Sequence, residues 1–149
     1  MEEVKEEEGR FTLRLICRTG DRIAMGKRSR RASFQLLNTT PFRQGFKVKT
    51  SSNGLFLPEP IFGIVEPGTV AKITLAYLGS TDGPFPVDFA HHLAIHQLQA
   101  PVRATPRGLW AMHHGPSTGV LRRGIVFEDE KDCRRRSRST TKEKRTAAD

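Results

Sequence analysis

The sequence predicts an all-β fold, with short antiparallel strands in a sandwich or barrel, and three observations carry that prediction. Apolar residues recur at every second position in several short runs. Turn-forming residues fall between those runs. No uninterrupted amphipathic helix pattern runs through the 149 residues, which include 13 Gly and 9 Pro.

The first run, Phe11-Thr-Leu-Arg-Leu-Ile16, alternates apolar and polar side chains as a half-buried strand does. Ala32-Ser-Phe-Gln-Leu-Leu37 places Phe34 and Leu36 on one face, and Phe46-Lys-Val-Lys-Thr50 sets Phe46 and Val48 against Lys47 and Lys49. In Val70-Ala-Lys-Ile-Thr-Leu-Ala-Tyr77 the inward set is Ala71, Ile73, Leu75 and Tyr77; in the next run it is Leu93, Ile95 and Gln97. Turns are expected at Asn38-Thr-Thr-Pro41, Ser52-Asn-Gly54, Glu66-Pro-Gly68 and Thr81-Asp-Gly-Pro84. Leu57-Pro-Glu-Pro-Ile-Phe-Gly63 differs from the other runs. Pro58 and Pro60 cannot donate to a sheet ladder, so this apolar run must bend or lie on an edge, and a kink there allows a strand to leave one sheet for the other.

Charge divides the chain into three. The formal charge is +9, from 25 Lys and Arg against 16 Asp and Glu. Residues 1–10 are acidic and residues 133–149 are strongly basic, and both are nearly devoid of apolar side chains, so disordered charged termini are expected around a folded domain at 11–132. Cys17 and Cys133 lie far apart, which argues against a disulfide scaffold or zinc finger and for a reducing, cytoplasmic setting. No apolar run reaches the roughly 20 residues of a transmembrane helix.

Asn38-Thr-Thr-Pro-Phe-Arg-Gln-Gly-Phe-Lys-Val-Lys-Thr50, then the proline kink and Gly63-Ile-Val-Glu-Pro-Gly68, resembles the major sperm protein (MSP) domain. That domain is shared by nematode sperm proteins and the VAMP-associated proteins of the endoplasmic reticulum. Gly20-Asp-Arg-Ile-Ala-Met25 is similar to the family's first edge strand. Gly119-Val-Leu-Arg-Arg123 and Val126-Phe-Glu128 are similar to its final segments. The resemblance implies an immunoglobulin-like, seven-stranded β-sandwich of the MSP and PapD-like kind, without a catalytic centre, acting through protein contacts.

Two roles follow from the resemblance. The sperm branch self-assembles into a cytoskeleton that drives crawling, which implies a homo-oligomer or other MSP-domain partners and a cytoplasmic, cytoskeletal or pseudopodial location. The VAMP-associated branch reads acidic peptides containing phenylalanine. On that branch's pattern, Lys47, Lys49, Thr50, Ser51 and Arg122 match the peptide-binding positions, whereas His92 and Ala94 replace a lysine and a methionine. Those two changes remove charge and pocket wall, so the resemblance favours the self-assembling role over the peptide reader.

No Gly-x-Ser-x-Gly, phosphate loop or paired-carboxylate pattern points to catalysis, and no cofactor or small-molecule substrate is implied. His92 and His96 on an extended strand stand about 13 Å apart, too far to share a metal. His113-His114 reads as a loop, and Trp110 as a core residue. The clusters Lys27-Arg-Ser-Arg-Arg-Ala-Ser33 and Arg134-Arg-Arg-Ser-Arg138 suit an anionic membrane or nucleic acid, which ranks third because no aromatics interleave them. Ser33 and Ser137 follow arginines as basophilic-kinase substrates do.

Overall fold

The computed structural model describes residues 10–51, 54–79, 91–113 and 115–128. Most of the acidic start, the Thr81–Pro84 turn, His114 and the basic tail with Cys133 and Ser137 lie outside the described residues. Among the described residues, nine strands form two sheets. One holds β1 (Leu13–Ile16), β3 (Arg31–Asn38), β7 (Val70–Tyr77) and β5 (Phe56–Glu59), in the order β1-β3-β7-β5. The other holds β2 (Arg22–Gly26), β9 (Gly119–Glu128), β8 (His91–Gln99), β4 (Gln44–Thr50) and β6 (Phe62–Val65), in the order β2-β9-β8-β4-β6. Every pairing is antiparallel except that of β2 with β9.

Alternation builds the core as expected. Phe34 and Leu36 from β3, Ile73 and Leu75 from β7, Phe46 and Val48 from β4, and Leu93 and Ile95 from β8 are buried together between the sheets. A buried side chain of this kind stabilises by roughly 1.5–3 kcal/mol relative to exposure. Gln97 is also inward. Its amide oxygen accepts from the backbone N–H groups of Thr12 and Leu13, and its amide nitrogen donates to Gln44 Oε1 at 2.9 Å. The chain start is thereby tied to the opposite sheet without leaving the buried amide unsatisfied.

The proline segment divides between the sheets. Pro58 is buried in β5 opposite Leu75, the Glu59–Pro60 bond is cis, and β6 begins two residues later in the other sheet. This division and the short β1, which precedes the strand matched to the family's first edge strand, bring the count among the described residues from the implied seven to nine. Asn38 closes the neighbouring turn. Its Nδ2 donates to the carbonyls of Phe42 and Val65 at 2.7 and 2.8 Å, while its Oδ1 accepts from the N–H and hydroxyl of Thr40.

One element differs from the sequence expectation. Residues 106–112 form a short helix, α1 (Pro106–Met112), in a sequence that carries no uninterrupted amphipathic helix pattern. Thr105 caps it by accepting from Gly108 N at 3.0 Å, and Pro106 occupies its first turn, where a missing N–H costs nothing. Seven residues are too few for helical periodicity to stand out in the sequence.

Candidate functional site

Period-two alternation puts one set of β4 side chains into the core and the other on the outer face of the five-stranded sheet. Lys47 and Lys49 belong to the outer set. Register completes two rows across three strands: Lys47, His96 and Val120 in one, Lys49, Ala94 and Arg122 in the next. Thr50 lies opposite Leu93 in the inward set, and so leaves the basic face. Ser51 bridges the strand ends: its N–H donates to the His92 carbonyl at 2.9 Å and its hydroxyl accepts from His92 N at 3.0 Å. His92 is exposed on the outer face beyond Ala94, opposite Gly124. Arg122 and Arg123 alternate, so only Arg122 joins the lysines.

Helix α1 turns this face into a recess. Gly45 lies in the outward set of β4, and a Cβ there would collide with the end of Leu109, so the missing side chain lets α1 settle on the sheet. Leu98, outward by alternation, is buried at 7% exposure and lines a groove with Leu109. Beyond this contact α1 carries Trp110, whose ring meets that of its C-cap residue His113 edge-on at 6.1 Å. Trp110 is thus half-buried on a helix rather than a core residue between the sheets. The resulting recess of about 410 Å³ is lined by Lys47, Lys49, Arg122, His96, Trp110 and His113, with Pro116 and Ser117 at one wall. No acidic side chain among the described residues lines it.

The three cations mark the electrostatics of the recess. The His96 pKa is pushed down from its ordinary 6.5 to about 4, by burial first and then by Lys49, Arg122 and Lys47. Its ring stays neutral at pH 7, with Nδ1 3.1 Å from the Ser117 hydroxyl. Three cations around a recess with no acidic lining among the described residues give it a positive potential, which favours an anionic ligand.

Pro58 and Pro60 stand apart from this recess, at the passage between sheets. Among the described residues, no group of three or more His, Cys, Asp or Glu side chains is placed to hold a metal. No helix among them is long and apolar enough to cross a membrane. Sequence reasoning reached Lys47, Lys49 and Arg122 but missed Trp110, His113 and the recess-lining role of His96. The Thr105-Pro106 cap signal preceding Trp110 is the local clue that the latter segment is a helix.

The family profile for the MSP (major sperm protein) domain matches residues 20–109, well over half the chain. The chain belongs to the MSP domain family. Its structural neighbours agree on the fold. WR4, a C. elegans MSP family member, superposes with a TM-score of 0.62 at 17% identity, over 78% of this chain and 98% of that one. SSP-19, an MSP-domain-like protein of Caenorhabditis elegans, gives 0.55 at 18% identity, over 72% and 96%. The E. coli chaperone DraB gives 0.54 at 13% identity, over 80% of the MSP-domain chain and 56% of the chaperone. Comparison with curated proteins finds no sequence match. At these identities the neighbours establish the immunoglobulin-like sandwich and leave the role of the MSP domain to its own residues.

Proposed function

We propose that this MSP domain is a non-enzymatic binding module that captures an extended acidic segment of another protein on the outer face of its five-stranded sheet. The observation that carries this reading is the convergence of Lys47, Lys49 and Arg122 around a recess with an aromatic wall and no acidic lining. The sequence comparison weighed against a peptide reader because Ala94 offers little pocket wall. Trp110, delivered by α1, supplies the apolar surface that Ala94 lacks. Rows of cations at strand spacing suit a ligand that is itself extended, since alternate acidic side chains then meet alternate positive ones.

The test is capture of a fluorescein-labelled acidic peptide containing two phenylalanines. The wild-type chain is expected to bind it with an affinity that falls steeply with salt, and the double change Lys47→Glu, Lys49→Glu is expected to abolish binding. Replacing His92 by Lys and Ala94 by Met together is expected to strengthen it. Absence of binding by the wild type, or binding indifferent to the two lysines, overturns the reading.

A cytoskeletal, self-assembling role of the kind implied by the sperm branch is the second reading. It is favoured by the open edge strand β1, among the described residues, which ends at the partly exposed Ile16 and offers backbone groups through which copies can pair. A cytoplasmic location and MSP-domain partners go with it. Sedimentation against concentration distinguishes the two, because a polymer grows with concentration and a monomeric reader does not.

A further inference from the structure

A second concavity lies on the other side of α1. Leu98, Pro101, Ala104, Leu109 and Met112 line an apolar groove of about 540 Å³, with Arg103 at its edge. His113 lines both this groove and the basic recess, so the two adjoin at the C-terminal end of α1. The groove wall is held in place. Arg43 donates through Nη1 to the carbonyls of Pro101 and Val102, each at 2.7 Å, and its Nε pairs with Glu66 on the opposite side. At the rim, Met112 is 78% exposed, and neighbouring Val102 is 87% exposed. Large apolar side chains left in water beside a braced apolar groove mark a surface that receives a partner.

Resting on the acidic-segment reading, we propose that the captured segment is amphipathic. Its acidic stretch lies over Lys47, Lys49 and Arg122, and an apolar side chain on one flank passes His113 and seats in the groove against Leu98, Leu109 and Met112. Charge and adjacency select this occupant. The groove carries no acidic lining among the described residues, its edge charge is the positive Arg103, and it shares His113 with the cationic recess. Acidic residues of one chain held in the recess therefore place that chain's flanking residues at the groove. A peptide of about 12 residues extends roughly 40 Å, ample to occupy both.

The experiment uses the full chain and labelled peptides of that length, read by fluorescence anisotropy. One peptide is acidic and ends in two serines; others carry the same acidic stretch with two leucines at one end or the other. Leucines at one end are expected to tighten binding about tenfold, the worth of burying part of one apolar side chain. Met112→Gln, a change at an exposed position, is expected to erase that gain and leave the serine peptide's affinity unchanged. Equal affinity for serine and leucine peptides, or equal weakening of both by Met112→Gln, overturns the groove assignment while the acidic-segment reading stands. Failure of every peptide to bind overturns both. Self-association that disappears with Met112→Gln, with the leucine preference intact, assigns the groove to a second copy of the chain and overturns the proposal.

Discussion

His96 sits where the chemistry of the recess is felt most directly. Free imidazole near pH 6.5 becomes charged easily, but here burial and the facing cations Lys49, Arg122 and Lys47 hold the pKa at about 4, with His113 on the adjoining wall and His92 further along the same strand. Between these two values the unfolded chain binds more protons than the folded one. This contribution to stability is therefore present above pH 6.5 and lost as pH falls toward 4. Carboxylates bound in the recess are expected to offset the part of the His96 shift that comes from the three cations, and so to raise its pKa in the complex. Capture of the acidic peptide should accordingly take up a proton and strengthen between pH 7 and about pH 5, before the peptide's own carboxylates titrate. Anisotropy titrations across that range check the slope, and His96→Gln should flatten it; an unchanged slope in that variant would show that His96 does not report the ligand. Asn38 is the residue-scale counterpart in the framework. Asn38→Ala strands the buried carbonyl of Val65 and should cost about 3 kcal/mol in urea unfolding, whereas exposed Thr39→Ala should stay within about 0.5 kcal/mol.

At the scale of elements, α1 determines whether the basic face is flat or recessed. Gly45 and Leu109 form a matched pair: the glycine admits the leucine, and the leucine anchors the helix that carries Trp110 and His113. Gly45→Val should lift α1 and weaken peptide capture severalfold with the lysines untouched. Adding Leu109→Ala should restore part of the loss by making room for the new side chain. Failure of that rescue, with both variants folded by circular dichroism, would separate the helix from the site. Arg43 serves the segment before α1, and its bonds to the carbonyls of Pro101, Val102 and Ala104 are a role that the motif Phe42-Arg43-Gln44 does not disclose. A polar partner made of backbone carbonyls has no signature in composition or period.

At the scale of the whole molecule, the paired strands and the buried cluster among the described residues run from Leu13 to Glu128. A chain trimmed to 10–128 is therefore expected to unfold in one cooperative thermal transition, and a broad or multiphasic transition would show that the flanks contribute to the fold. The same trimmed chain separates local from general charge. Capture of the acidic peptide should persist after removal of the basic tail, because Lys47, Lys49 and Arg122 remain, and lose mainly association rate. Loss of binding on trimming would move the anion-reading function from the recess to the tail.

The alternation of Phe34 with Leu36, Phe46 with Val48 and Leu93 with Ile95 was sufficient for the sequence to specify which strand faces are buried, because a strand has only two faces and one of them must leave water. The same alternation put Lys47 and Lys49 on the opposite face, and the Asn38 to Gly68 motif identified the family. Tertiary structure alone decided the rest. That Lys49, Ala94 and Arg122 form one row depends on the register of three strands, whereas the inward face of Thr50 follows from alternation with Lys49. Trp110 and His113 meet the lysines across more than 60 positions of chain, through a seven-residue helix seated on a glycine. Periodicity reports what a segment does with its own neighbours; a recess between a helix and a sheet is made of residues that become neighbours only after folding.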